Sequence, residues 1–226
     1  MYLKYFVYVS SVNNLSDARY CSGMFVDYIG FDFDQNSKNK ISIDNFKEIK
    51  NWINGPKIVA EFADSSITYI EEFMSKIEVD YLSINYSSEI IKKIDKNCIV
   101  NISDKNIMRQ NPKLIEENIN KIKLVTIDDF DDSMIDFVKY EGIDVFIECK
   151  KSFLDTEKML KRYDLGLKLS GSNELRPGYK DYNNISDILN EISGIVISFP
   201  DPRPKKRDLK KRLTNINFLN KYYGLL

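Results

Sequence analysis

Histidine is absent from this chain of 226 residues. That absence removes Ser-His-Asp and Cys-His catalysis and histidine-ligated zinc or iron. Any general base must be Asp, Glu, Lys, Tyr or Cys. Cysteine is scarce: Cys21, Cys98 and Cys149 are far apart, odd in number and show no CxxC spacing. No disulfide framework is expected, and a reducing, cytoplasmic setting fits. All three read as small buried hydrophobes. A charge of one sign is also missing, with 33 basic and 34 acidic residues and a net charge of −1. Nothing there calls for a polyanionic partner, so nucleic acid is not expected from the overall balance. No apolar run approaches the ~20 residues that span a bilayer, and no membrane partner is expected. The opening MYLKYFVYVSS lacks a basic region, an apolar run and a small-residue cleavage site, and it reads as a first strand.

What is present is an alternation. Short β-branched runs occur at Tyr5–Ser11, Tyr28–Phe33, Lys57–Phe62, Tyr81–Asn85, Cys98–Ile102, Leu124–Asp128, Asp144–Glu148 and Leu165–Ser170. Most are continuously apolar, as strands buried on both faces of a parallel sheet are. Between them lie segments with apolar residues at i, i+3, i+4 spacing, including Leu15–Met24, Ile43–Ile53, Ile67–Ile77 and Asn184–Ile192. In the second of these, Phe46, Ile49, Trp52 and Ile53 form one apolar face, with a cap near Ser42 and a stop at Gly55-Pro56. Ser65-Ser66 caps the third similarly. Eight strands alternating with helices predict an α/β fold, a closed (βα)₈ TIM barrel. The barrel is expected over residues 1–199, with a C-terminal extension at 200–226. That extension carries seven positive residues between Arg203 and Arg212, then an aromatic end, Phe218 to Leu226. It reads as a linker and a solvated helix, or as a contact for nucleic acid or an acidic protein face.

Several segments, in order, resemble phosphoribosylanthranilate isomerases. Val9-Ser-Ser-Val-Asn-Asn-Leu-Ser-Asp-Ala-Arg19 is similar to that family's Lys-Ile-Cys-Gly-Ile/Leu-Thr opening and the short run ending Asp-Ala. Val26-Asp-Tyr-Ile-Gly-Phe-Asp-Phe33 resembles its Ala-Asp-x-x-Gly-Phe-x-Phe. Ser37–Ser42 stands where the family has Ser-Pro-Arg-x-Val-Ser, and Gly55–Phe62 where it has its third strand. Ser170-Gly171, Glu174 and Pro177-Gly-Tyr-Lys-Asp181 resemble its Ser-Ser-Gly-Val-Glu…Pro-Gly-x-Lys-Asp segment. The match is best over residues 5–62 and 165–192.

The resemblance implies a tryptophan-biosynthetic Amadori rearrangement of a phosphoribosyl amine. A carboxylic acid opens the ribose ring and a cysteine thiolate removes the C2 proton, without a cofactor or metal. The acid position is kept, as Asp128 beside Asp129. The thiolate position falls on Ser10, and a hydroxyl has no useful basicity near neutral pH without an activating partner. The family's substrate-contacting Arg falls on Asn39, and its Gln and His on Ser83 and Asn85. Its phosphate-binding glycine pair falls near Glu148-Cys-Lys150, where a glutamate repels phosphate. The loop Ser170-Gly171-Ser172-Asn173 is the surviving candidate for phosphate, with Lys150 and Arg176 as added charge.

The expectation is therefore a divergent homologue that has lost the isomerase activity and keeps a phosphate-binding loop for a small phosphorylated metabolite, as monomer or homodimer. Two alternatives stand beside it. One is an active sugar-phosphate isomerase with Asp128 as acid and another residue as base. The other is a non-catalytic scaffold acting through its tail. Asp32, Asp34, Glu61, Asp128 and Glu148 also fall at predicted strand ends, and together would make an acidic mouth suited to a cation.

Overall fold

The computed structural model describes residues 2–194 except 64, 87, 129–131, 150–152, 172–173, 177–178 and 181–182. Eight parallel strands close into a barrel. They are β1 (Val7–Ser10), β2 (Tyr28–Asp32), β3 (Lys57–Phe62), β4 (Tyr81–Asn85), β5 (Cys98–Ile102), β6 (Ile122–Ile127), β7 (Asp144–Glu148) and β8 (Gly166–Ser170). Closure runs from Val7↔Leu167 to Ser10↔Ser170. The crossovers carry α1 (Leu15–Gly23), α2 (Ile43–Lys50), α3 (Ile67–Met74), α4 (Ser88–Lys93), α5 (Lys105–Gln110), α6 (Lys113–Glu117), α7 (Asp132–Tyr140) and α8 (Phe153–Tyr163), with α9 (Asn183–Ile192) after β8. This is the expected (βα)₈ barrel. Between β5 and β6 the helix breaks at Asn111-Pro112, because proline drives the residue before it out of helical geometry. Outside the barrel, Tyr2–Leu3 pairs with Ser193–Gly194 and Glu174–Arg176 with Tyr179–Lys180, both antiparallel.

The strands read as apolar runs because each faces two cores. Val7, Val9, Ile29, Phe31, Ile58, Ala60 and Phe62 point outward into the layer shared with the helices. Tyr8, Val59, Ile99, Leu124 and Phe146 point inward and form a separate cluster with Tyr28 and Tyr81. The period of two along each strand produces this split. Tyr28 meets Tyr8, Tyr81 and Phe146 edge-on at 6.2, 5.9 and 5.7 Å, closing the barrel below the mouth. In the outer layer, Phe33 packs on Phe46 and Phe73 at 5.3 and 4.4 Å. Burying one such ring contributes roughly 1.5–3 kcal/mol.

The helix starts follow their caps. Ser42 Oγ accepts from Asn45 N–H at 3.2 Å, and Ser66 Oγ from Tyr69 N–H at 3.4 Å. Helix α2 ends at Lys50, ahead of the expected Gly55-Pro56 stop. Trp52 therefore lies beyond the helix and is 66% exposed rather than part of its apolar face. The Arg19 guanidinium sits 5.8 Å from its ring. Gly194 closes the short pair with Tyr2–Leu3, and residues from 195 on lie outside the described residues. No helix among the described residues is long and apolar enough to cross a membrane.

Candidate active site

The C-terminal ends of barrel strands converge on one mouth, where chemistry sits in this architecture. A cavity of about 360 Å³ opens there, lined by Tyr8, Ser10, Ser11, Asp32, Asp34, Asn36, Ser37, Glu61, Phe62, Ala63, Ser83, Asn101 and Lys168. A larger one, about 490 Å³, lies at the opposite end, against Tyr5, Phe6, Phe25 and Phe146. Active sites of this architecture sit at the C-terminal face, not at that end.

Glu61 is the organising group of the mouth. Its Oε1 accepts a short hydrogen bond from the Tyr8 hydroxyl. Its Oε2 accepts from Ser11 N–H at 2.9 Å and Ser11 Oγ at 3.3 Å. Ser11 reaches this geometry with φ of 56°, the left-handed region that costs a non-glycine residue of order 1 kcal/mol or more. Gly30 makes the space: a Cβ there would lie 2.0 Å from Glu61 Oε1 and 2.8 Å from the Tyr8 hydroxyl. Burial pushes the Glu61 carboxyl above its ordinary range. The Tyr8 hydrogen bond, Lys168 and the Ser11 N–H offset only part of that. Burial, then the Glu61 charge, pushes the Tyr8 hydroxyl well above its ordinary value.

A short line of hydrogen bonds stands beside this pair. Thr126 Oγ1 donates to Asn101 Oδ1, and Asn101 Nδ2 donates to Ser83 Oγ at 2.9 Å. Ser83 shares the cavity lining with Tyr8, and Tyr8 donates to Glu61. Lys168 stands beside Tyr8 in the β1–β8 register, and its Nζ lies 3.7 Å from Asp128 Oδ1. That Asp128 oxygen is buried and has no hydrogen-bond partner among the described residues. Asp32 and Asp34 are tied into their own loop. Asp32 accepts from Ser37 Oγ and from Asp34 N–H at 3.0 Å. Asp34 accepts from Asn36 N–H at 2.8 Å and Ser65 Oγ at 3.0 Å. No three acidic or cysteine side chains among the described residues are grouped to hold a metal ion.

Two comparisons bear on what this mouth belongs to. In shape, the barrel is similar to phosphoribosyl anthranilate isomerase from Thermus thermophilus, with a TM-score of 0.66 over 82% of this chain and 96% of that one. The two are 14% identical, so the likeness shows the fold alone. In sequence, residues 181–226 match the family described as "Putative methyltransferase". A tRNA (guanine-N(7)-)-methyltransferase of Ureaplasma urealyticum is 54% identical over 48 residues, 20% of this chain and 21% of the relative. One from Bacillus licheniformis is 33% identical over 89 residues, 39% of this chain and 38% of the relative. The chain thus spans well under half the length of either relative.

Against the isomerase-like barrel, the expected positions separate into groups. Ser10 and Ser83 line the mouth, and Asp128 adjoins it through Lys168. Ser10 is buried and its Oγ donates to the Leu169 carbonyl at 3.2 Å. Asn39 is exposed and not part of the lining; Asn36 and Ser37 of the same loop are. Asn85 pairs in register with Asn101 but does not line the cavity, nor does Glu148. Ser170 is exposed at the rim. Gly171 approaches backbone, as expected of a glycine, but the backbone is the chain's own. Its N–H donates to Ser10 O at 2.6 Å, and a Cβ would lie 2.5 Å from that oxygen. Ser172, Asn173, Asp129, Lys150 and the extension from residue 200 lie outside the described residues.

Tyr8, Ser11, Asn101, Thr126 and Lys168 belong to the site and were not singled out from sequence. A signal existed for four of them. Each is a polar or hydroxyl-bearing residue at an inward position of an otherwise apolar strand, as in Cys98-Ile-Val-Asn-Ile102. Ser11 had none, because its role depends on backbone conformation.

Proposed function

We propose that the barrel is a divergent relative of phosphoribosylanthranilate isomerase that does not catalyse the Amadori rearrangement, and that its mouth takes a small, uncharged, hydroxyl-rich molecule. The observation that carries this reading is Ser10. Where the resemblance requires a thiolate there is a buried hydroxyl donating to a backbone carbonyl. Cys21 and Cys98 are buried away from the lining, and burial pushes their thiols up to about 12 and about 11. Cys149 does not line the mouth either.

The charge of the lining also weighs against a phosphate. Among the described residues, Asp32, Asp34 and Glu61 face the cavity together with Lys168. Two like charges about 4 Å apart repel by about 4 kcal/mol at an effective dielectric near 20. A neutral hydrogen bond returns about 1 kcal/mol. Serine and asparagine side chains fit hydroxyl groups instead. The test is an assay of the purified chain with phosphoribosylanthranilate. No turnover is expected, and turnover that Asp128→Asn abolishes would overturn the reading.

A second reading concerns residues 181–226 and rests on the 54% identity to a tRNA methyltransferase. We propose that this segment gives the chain a contact for tRNA, through the positive residues between Arg203 and Arg212. The full chain should bind unmodified tRNA, and charge reversal at Lys205, Lys206 and Arg207 should weaken binding. Equal affinity of that variant and the parent would exclude the segment.

A further inference from the structure

We infer that the mouth is an acid–base site in which the Glu61 carboxylate moves a proton between the two carbons of an unphosphorylated sugar's hydroxy-carbonyl unit, with the Lys168 ammonium facing its oxygens. This rests on the reading that the cavity takes an uncharged, hydroxyl-rich molecule, and it adds a reaction.

The geometry behind it is the set of donors fixed on one carboxylate. The Tyr8 hydroxyl donates to Glu61 Oε1, and Ser11 donates twice to Oε2 from the other side. These donors fix one rotamer of Glu61. Beside them, Thr126 donates to Asn101 and Asn101 to Ser83. Barrel interiors are ordinarily packed with branched apolar side chains. Here polar side chains from β6, β5, β4 and β1 lie at the mouth beyond the apolar inner cluster, Gly30 clears the space, and Ser11 is held in a left-handed conformation. Strain and buried polarity converging on one carboxylate at a cavity wall mark a functional site. Lys168 is near enough to attract Glu61 and is itself held by Asp128. The cavity, about 360 Å³, is at the small end of ligand sites.

The step balances without a cofactor. Glu61 takes the proton from the carbon bearing the hydroxyl beside the carbonyl, and the C–H electrons form the C=C bond of an enediolate. The new negative charge on the former carbonyl oxygen faces the Lys168 ammonium, which lends it a proton and recovers one from the neighbouring hydroxyl. The Glu61 carboxylic acid then returns its proton to the other carbon, giving ketose from aldose or the reverse. Tyr8 and Ser11 are positioning residues.

The experiment uses the full chain in D₂O with a panel of unphosphorylated D-aldoses and D-ketoses of five and six carbons, followed by proton NMR. Deuterium should enter at the carbon beside the carbonyl, faster than in buffer. Glu61→Gln keeps an acceptor for Tyr8 and should lower the exchange by ~100-fold or more. A circular-dichroism melt checks that this variant is folded. Should it not fold, Glu61→Asp, which withdraws the carboxylate by one methylene, must fold and exchange more slowly. No exchange with any sugar of the panel, or equal rates in the parent and the folded variant, would overturn the inference. Inert phosphoribosylanthranilate together with absent sugar exchange sinks this proposal alone. Turnover of phosphoribosylanthranilate sinks the reading beneath it.

Discussion

Gly30 and Glu61 face each other across two neighbouring strands, and the fit between them is the tightest residue-level constraint at the mouth. Gly30→Ala places a methyl 2.0 Å from Glu61 Oε1, so the carboxylate and Tyr8 must shift. Overpacking of this kind costs typically 1–3 kcal/mol. A denaturant melt should show that loss, and the double variant Gly30→Ala/Glu61→Ala should recover part of it; full additivity would mean the two do not touch. Glu61 also sets a pH dependence. Its folded carboxyl is raised from the ordinary 4.5, chiefly by burial. Below 4.5 the carboxyl is protonated in both states and its contribution is fully present. As pH rises through the folded value, the native state must ionise a desolvated group, and stability is lost. Thermal melts across this window should therefore fall for the parent relative to Glu61→Gln. Parallel curves would show that the environment of Glu61 is not desolvated.

At the scale of elements, the caps and strand ends determine which side chains reach the mouth. Ser42→Ala removes the side-chain acceptor for Asn45 N–H at the start of α2 and should cost about 1 kcal/mol by urea titration. An unchanged midpoint would mean water replaces it without loss. The strands were legible because a two-sided buried strand has an unmistakable apolar run, and Lys57–Phe62, Tyr81–Asn85, Cys98–Ile102 and Asp144–Glu148 coincide with the expected bounds. The end of α2 was not, since nothing in Asn51-Trp-Ile-Asn54 distinguishes a helix continuing to Gly55 from one that stops at Lys50. Within the site, the mouth acids could be placed by strand ends. The Thr126–Asn101–Ser83 and Tyr8–Glu61 hydrogen bonds could not, because they depend on which strands are neighbours and at what register. Gly171 was legible as a close approach, but not its partner, the Ser10 carbonyl.

For the whole molecule, shape and sequence likeness point in different directions. The barrel supplies a mouth, and residues 181–226 match the family described as "Putative methyltransferase". Ser10→Cys should not confer isomerase activity on the full chain, since the exposed Asn39 has no guanidinium to clamp a substrate and the Gly171 N–H is already committed to Ser10 O. Turnover in that variant would show that the thiolate alone was missing. If the extension contacts tRNA through its basic residues, affinity should fall steeply between 50 and 200 mM salt, on the order of 10³-fold or more for six phosphate contacts. A flat salt dependence would count against phosphate contacts. A partly buried carboxyl, rather than a thiol, organises the mouth. Carbon-13 NMR titration of the glutamate side-chain carboxyls, with Glu61→Gln for assignment, reads this out. The Glu61 signal should titrate above 4.5 and be missing from the variant. A Glu61 signal titrating at or below that value would mean that no desolvated carboxyl organises the mouth.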